Sequence, residues 1–179
     1  MASVYFVRHG ESVWNVADKI CGSTDVALTE KGHRQAELTA NKFIEQGIDA
    51  DIILCSPLMR AKDTAEHISK ITGIPFKVEQ RLIEQNFGKW EGASPRRSPE
   101  FTEAKMQFVS DFEGGESMFR LAQRIYNLLD EIKGDSEHTY ILVAHNGIAR
   151  VVKSYFENMT NKEYAEYGVD NCTITEFEF

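Results

Sequence analysis

Three short apolar segments, Ser3 to Val7, Asp51 to Cys55 and Thr139 to Ala144, are rich in β-branched residues, have strand length and lack clean alternation. Runs of that kind suit strands covered on both faces, so they predict the centre of a sheet. Between them the apolar positions recur at helical spacing. With Thr29 as N-cap and Gly47 beyond the end, Ala36, Ala40, Phe43 and Ile44 fall on one helix face, and Leu28 precedes the cap as a hydrophobic staple. A second helix takes Ser56 as cap and Pro57 as its first position, carries Leu58, Ala61, Ala65, Ile68 and Ile71 as a stripe, and stops at Gly73. A third, near Glu116 to Lys133, turns Phe119, Ala122, Ile125, Leu129 and Ile132 inward, and Gly134 closes it. This order predicts an α/β fold, a three-layer sandwich whose largely parallel central sheet has helices on both faces. The segment Cys172 to Phe179 alternates weakly and reads as a closing edge strand or a pairing edge between two copies, so monomer and homodimer both stay open.

A chain of 179 residues fits one domain with one core, burying roughly two thirds of its unfolded surface. The proline-rich stretch Ser94 to Pro99 is the nearest thing to a linker and reads as a surface loop inside that single domain, 1–179. Lys and Arg number 20 against 28 Asp and Glu, a net charge of −8. That sign opposes binding to nucleic acid or an anionic membrane surface, so a phosphate-bearing ligand needs a local basic pocket. Cys21, Cys55 and Cys172 form no CxxC pair and suggest neither a disulfide framework nor a zinc ribbon. Reduced thiols, and no signal-peptide core or membrane span, lead to an expected cytoplasmic location.

In parallel sheets ligands gather at the carboxyl ends of the strands. The first strand runs into Arg8-His9-Gly10-Glu11, the second into Ser56-Pro57 with Arg60 one turn on, and the third into His145-Asn146-Gly147. Two arginines and two histidines therefore converge at one edge. No GxxxxGK[ST], GxGxxG or HExxH pattern is present, and Gly10 to Trp14 lacks the closing glycine of a nucleophile elbow. His33, His67 and His138 lie on helix faces or in a loop, so no metal site is expected.

Val7 to Ser12 with Asn15 following resembles the signature of the histidine phosphatase superfamily, in its phosphoglycerate-mutase-like branch. The resemblance continues in order through Cys21 to Asp25, Leu28 to Gly32, Ser56 to Ala61, Leu82 to Glu84, Gly88 to Gly92, Gly114 to Ser117, Val143 to His145 and Asn171 to Thr173. It implies that His9 attacks a phosphoryl group and becomes a phosphohistidine that water hydrolyses, with Glu84 as general acid to the leaving alcohol and then base to the water. A neutral imidazole keeps a lone pair for that attack if a carbonyl holds its other N–H. Arg8 and Arg60 would supply planar forks to the equatorial oxygens, His145 a third positive donor once protonated, and Asn15 a neutral hydrogen bond. Cys21, Gly22 and Ser23 would contact substrate through backbone groups or form only a tight turn, and the N–H of Asn146 would reach phosphate.

The resemblance implies that the family works without a metal or nucleotide, because these groups supply the positive charge, and no cofactor is expected. Glu84 has an alternative as a partner of an arginine, Trp90 reads as core in preference to ligand stacking, and Arg96-Arg97 as a solvated basic loop more than a clamp. Only 60 residues separate Glu84 from His145, and 34 follow His145. A short lid leaves a phosphohistidine open to water, which favours a phosphomonoester hydrolase acting on a small phosphorylated substrate over a cofactor-dependent phosphoglycerate mutase. A non-catalytic phosphate-binding module is the remaining reading.

Overall fold

The computed structural model describes residues 3–179. Five strands, β1 (Ser3–Arg8), β2 (Ile52–Cys55), β3 (Phe76–Val78), β4 (Tyr140–Ala144) and β5 (Ile174–Glu178), form one sheet in the order β3-β2-β4-β1-β5. All pairs are parallel except β1–β5, which is antiparallel. The α/β sandwich with a largely parallel sheet is thus present, and the C-terminal segment closes one edge of the sheet. Strand β3, three residues long and mostly exposed, carries too little pattern to be read from sequence.

Among the described residues seven α-helices accompany the strands: α1 (Val13–Val16), α2 (Glu30–Glu45), α3 (Met59–Thr72), α4 (Pro99–Ala104), α5 (Met118–Gly134), α6 (Asn146–Phe156) and α7 (Asn161–Glu166). The strands alternate between two cores. Val7, Ile53, Cys55, Ile141 and Val143 meet Ala40, Phe43, Ala61, Ala65 and Ile68 of α2 and α3. Val4, Phe6, Leu142 and Ala144 meet Leu121, Ile125, Leu129, Ile148 and Val152 of α5 and α6. Both faces of β1, β2 and β4 are therefore covered, which explains the missing alternation in those runs.

Helix α2 begins as expected: the Thr29 hydroxyl accepts from the Gly32 N–H at 3.0 Å, and Gly47 follows its end at φ 64°. Two residues assigned to inner faces lie outside: Ile44 is 58% exposed and Phe119 61%. Each sits at the margin of its apolar stripe, where a shift of one position turns a side chain to solvent. Helix α3 starts at Met59, three residues after Ser56, whose buried hydroxyl oxygen still accepts from the Leu58 N–H at 3.3 Å while lying 2.7 Å from His145 Nε2. The stretch Ser94 to Pro99 is only partly a loop, since Ser98 caps α4 and Pro99 is its first residue. Thr160 and Glu163 build a capping box for α7, a Thr-x-x-Glu signal that the sequence carries openly.

Candidate active site

Register brings the carboxyl ends of β1, β4 and β2 level. Arg8 pairs with Ala144 and Cys55 with Val143. The His9 N–H then donates to the Ala144 carbonyl and the Ser56 N–H to the Val143 carbonyl, each at 3.0 Å. The chain turns sharply after His9: a Cβ on Gly10 would stand 2.4 Å from the Gly32 carbonyl oxygen, so only glycine lets this turn rest against the start of α2. Thr64 of α3 accepts from the Gly10 N–H at 3.0 Å and fixes the turn from below.

His9 is 4% exposed, and its Nδ1 lies 2.6 Å from the Gly10 carbonyl oxygen. A carbonyl only accepts, so Nδ1 holds the proton and Nε2 keeps the lone pair. Burial, then Arg60 and Arg8, push its pKa well below the ordinary imidazole value. The ring is neutral at pH 7.

Arg60 is fully buried behind this ring. Its Nε–H donates to His9 Nε2 at 3.3 Å, while its two terminal nitrogens donate to the Thr24 and Gly22 carbonyls at 2.9 and 2.8 Å. The expected open fork is therefore committed to the 22–24 loop, and only the Nε edge turns toward His9. Arg8 is the arginine that faces the adjoining cavity. It donates to the Val169 carbonyl at 2.6 Å and leaves a buried Nε without a partner among the described residues. Burial and Arg96 lower its pKa to about 10, so it stays charged at neutral pH.

His145 packs against His9 with ring centroids 5.1 Å apart. Its Nε2 lies 2.7 Å from Ser56 Oγ, and its buried Nδ1 has no partner among the described residues. Burial, Arg60 and His9 hold its pKa well below the usual value, so the expected cationic donor is neutral in the ligand-free protein.

Glu84 is 4% exposed; its Oε2 accepts from the Gly147 N–H at 2.9 Å and its Oε1 from the Gln85 N–H at 2.8 Å. Burial raises its pKa, against the opposing pull of Arg150 and those two N–H groups. It has no arginine within ion-pair distance among the described residues, contrary to the simple pairing role.

A cavity of about 410 Å³ opens beside these groups; Arg8, His9, Asn15, Cys21, Glu84 and Asn146 line it, whereas Arg60 and His145 lie behind its wall. Asn15 Oδ1 accepts from the Ser12 N–H at 3.0 Å and from Asn171 Nδ2 at 3.2 Å. Asn146 Oδ1 accepts from the Val169 N–H at 2.9 Å. Of the Cys21-Gly22-Ser23 group only Cys21 lines the cavity. The N–H groups of Gly22 and Ser23 donate to Glu91 at 3.2 and 3.0 Å, so in this structure they hold a loop together. Trp90 packs beside Phe101 in an aromatic cluster with Phe87 and Phe112 and does not line the cavity. Arg96 and Arg97, read as a solvated loop, do reach the cavity wall, Arg96 being tethered to Asp18 at 3.2 Å.

Sequence reasoning missed four contributors. Asn171 Nδ2 donates to the His9 carbonyl at 2.9 Å, and Lys105 and Arg150 line the far side of the cavity. The fourth, Glu91, accepts from Gly22, Ser23 and Phe87 N–H groups and from Thr24 Oγ1 at 2.7 Å. Arg150 had a readable signal, its i+4 spacing from Asn146 on one helix face; Glu91 and Asn171 lie in segments that carry the resemblance but were given no role, and Lys105 depends on long-range packing.

Among the described residues no three His, Cys, Asp or Glu side chains group as metal ligands, and no helix is long and apolar enough to cross a membrane.

Residues 4–179 match the family model described as histidine phosphatase superfamily (branch 1). A Yersinia pestis (strain Pestoides F) protein named probable phosphoglycerate mutase GpmB is 33% identical over 188 residues, covering 100% of this chain and 86% of the relative. The Yersinia pseudotuberculosis (serotype O:1b, strain IP 31758) protein of the same name gives the same figures. Among solved structures, mycobacterial glucosyl-3-phosphoglycerate phosphatase with VO3 superposes with a TM-score of 0.84 at 25% identity, covering 98% of this chain and 90% of that one. The structure called mycobacterial hydrolase 1 gives a TM-score of 0.83, also at 25% identity, with the same coverage.

Proposed function

The chain belongs to the histidine phosphatase superfamily, branch 1, and is an enzyme of that superfamily; within it, we propose that one domain over residues 1–179 acts as a metal-independent phosphomonoester hydrolase. The observation that carries this reading is the state of His9: neutral, with Nδ1–H held by the Gly10 carbonyl and with Nε2, which accepts from Arg60 Nε–H in the ligand-free protein, at a basic cavity. An imidazole so fixed is a nucleophile waiting for an electrophile.

In the first step His9 Nε2 attacks phosphorus, the P–N bond forms and the ester P–O bond breaks. Protonated Glu84 gives its proton to the departing alkoxide, which burial favours by keeping that proton on above the usual carboxylate range. In the second step the Glu84 carboxylate takes a proton from water, whose oxygen attacks phosphorus; the P–N bond breaks, and neutral His9 and inorganic phosphate result. Arg8, the Nε edge of Arg60 and the positive end of α6 at Asn146 offset charge on the equatorial oxygens. His145 donates through Nδ1–H as a neutral ring if Nε2 accepts from the Ser56 hydroxyl, so it need not be charged.

The substrate is a small phosphorylated compound, in keeping with relatives named for phosphoglycerate and glucosyl-3-phosphoglycerate. Those names also keep the mutase reading in view. It requires the phosphohistidine to outlast contact with water, whereas this cavity opens to solvent past the exposed rim residues Arg97, Glu166 and Asp170.

The test is phosphate release from an aryl phosphate and from 3-phosphoglycerate with EDTA present, beside His9→Ala. Release that persists in EDTA and vanishes in the variant is the expected result. Exchange between phosphoglycerates without net release would replace the hydrolase reading with the mutase one, and phosphate binding without turnover would leave the non-catalytic module.

A further inference from the structure

His33 and His67 stand apart on two helices in the sequence, and the fold brings them together. Helices α2 and α3 pack along one another on one face of the sheet, and across their seam His33 Nδ1 lies 3.0 Å from His67 Nε2. The ring centroids are 5.2 Å apart with the planes at 70°, so the two nitrogens meet nearly head-on. On the other side of the His67 ring, Nδ1 faces Glu37 Oε1 of α2 at 3.6 Å. Each helix thus carries a histidine and a carboxylate four residues apart, His33 with Glu37 and Asp63 with His67, the spacing that puts both on one face. His33, Asp63 and His67 are half-buried and Glu37 is exposed, so water reaches the group. Neither histidine lines the cavity over His9.

Two imidazoles that face each other nitrogen to nitrogen need a proton or a cation between them. The Glu37 carboxylate favours hydrogen on His67 Nδ1, which leaves Nε2 as acceptor and His33 Nδ1 as donor in the ligand-free protein. One proton therefore sits between two sites that can each offer a lone pair. Two nitrogens each about 2.1 Å from a common ion stand about 3.0 Å apart at a right angle and about 3.4 Å apart at the tetrahedral angle. The observed 3.0 Å is already the edge of a square-planar or octahedral site, and a small opening of the seam reaches a tetrahedral one. A carboxylate behind a ligating histidine is also the arrangement that fixes the ring's tautomer and raises its basicity. The surroundings suit a cation. Burial raises the Asp63 pKa and Glu66 adds to it, against the pull of His33, His67 and Lys62, so three carboxylates, Glu37, Asp63 and Glu66, share this seam with one lysine.

We propose that His33 Nδ1 and His67 Nε2 form a binding site for a late first-row divalent cation, Ni²⁺, Cu²⁺ or Zn²⁺, which bridges α2 and α3. Imidazole suits these ions, whereas Mg²⁺ and Ca²⁺ prefer oxygen. Among the described residues no third side chain is grouped with the two rings, so water fills the other positions and Glu37 holds His67 from outside. The ion takes the place of the shared proton: His33 loses its Nδ1 hydrogen to water and takes one up at Nε2, so both rings bind as neutral ligands. The role is structural. Gly32, next to His33, rests against Gly10, and Thr64, three residues before His67, accepts from the Gly10 N–H, so the ion staples the two helices that carry the His9 turn. The site does not depend on the hydrolase reading, and chemistry at His9 proceeds without it.

The experiment titrates the untagged full chain near neutral pH with Ni²⁺, Zn²⁺ and Mg²⁺ by calorimetry. One Ni²⁺ or Zn²⁺ per chain is expected to bind at this seam, and Mg²⁺ not at all. His33→Gln and His67→Gln should each weaken that binding about tenfold or more, and Glu37→Gln by a similar factor. Because Glu37 is exposed, its variant keeps the test open if a histidine variant folds poorly. At about a hundredfold excess over its Kd, Zn²⁺ should raise the wild-type Tm by roughly 5 °C or more and leave the Tm of His33→Gln unmoved. Ring-nitrogen NMR should show His33 passing from the Nδ1–H to the Nε2–H tautomer on addition of Zn²⁺, a change that a histidine serving only to pack the helices would not make. Absence of binding by both Ni²⁺ and Zn²⁺ overturns the site, as does binding that survives both histidine substitutions. An ion lost in His9→Ala but kept in His67→Gln lies in the catalytic cavity and equally overturns it.

Discussion

Glu84 and Gly147 are in direct contact: the carboxylate accepts from the Gly147 N–H at 2.9 Å, and a Cβ at 147 would stand 2.2 Å from Glu84 Oε1. The absent side chain is what allows a buried carboxylate to sit on the first turn of α6. Gly147→Ala, which alanine's helix propensity alone would make neutral or stabilising, must push Glu84 aside. The expected outcome is a fall of about 100-fold in kcat/KM with circular dichroism unchanged, the size that follows from displacing a reacting group by about an ångström. Wild-type activity in this variant would mean that Glu84 does not act where it sits.

The opposed pKa shifts of His9 and Glu84 fix the pH profile. Attack needs neutral His9, whose pKa is depressed, so the nucleophile survives well below pH 6.5. Proton donation needs protonated Glu84, whose pKa is raised, so the acid form is lost only above the ordinary carboxylate range. For aliphatic esters kcat/KM should therefore peak on the acid side and decline as pH rises through the Glu84 pKa. An aryl phosphate, whose leaving group needs no proton, should show a flatter alkaline limb. Glu84→Gln should lose roughly 100- to 10,000-fold on aliphatic esters and retain a first-turnover burst on the aryl ester. An alkaline limb of the same shape for both leaving groups would remove Glu84 from the role of acid.

Glu91 joins the 22–24 loop to the Phe87 segment through four hydrogen bonds, and Arg60 is anchored on carbonyls of that same loop. Glu91 thus positions Arg60 without entering the cavity. Glu91→Gln replaces one accepting oxygen by an N–H donor facing other donors. A loss of roughly 1–3 kcal/mol is expected by denaturant unfolding, with a fall in kcat larger than any rise in KM. Destabilisation with an unchanged kcat would make Glu91 a structural brace only.

Strand ends and helix stripes made much of this fold readable, because apolar position alone decides them. Val7, Ile53 and Val143 fall where their runs predict, and Arg8, His9 and His145 follow from them. What escaped depends on partners distant in sequence. Ser56 reads as a helix cap and its hydroxyl does accept from the Leu58 N–H, but its bond to His145, 89 residues on, has no local signal. Gly22 and Ser23 read either as backbone contacts to substrate or as a tight turn, and only Glu91, distant in sequence, shows their N–H groups to be engaged in holding the loop. Lys105, at the end of a six-residue helix, has no local pattern at all, and only the approach of Ala165 shows it to be buried.

Arg124 of α5 ties the Gly114 to Ser117 motif to the segment that delivers Glu84. It holds the Glu116 carboxylate with two bonds, at 2.8 and 2.9 Å, and donates to the Arg81 carbonyl and to the Ile83 carbonyl at 2.7 Å. Glu116 in turn donates its N–H to the Asn86 carbonyl at 2.8 Å and accepts from Gln85 Nε2 at 2.9 Å. Every residue from 81 to 86 except Leu82 and Glu84 thereby contributes a backbone or side-chain group to this frame, which leaves the Glu84 carboxylate free for Gly147. Removing the guanidinium strands two carbonyls and one partly buried carboxylate together. Arg124→Met should cost roughly 1–3 kcal/mol in unfolding free energy. It should also lower kcat/KM for aliphatic esters more than for an aryl phosphate, because the acid is what moves. Equal losses on both esters would place the effect on His9 or on the whole cavity instead, and unaltered kinetics in a destabilised protein would confine Arg124 to the fold.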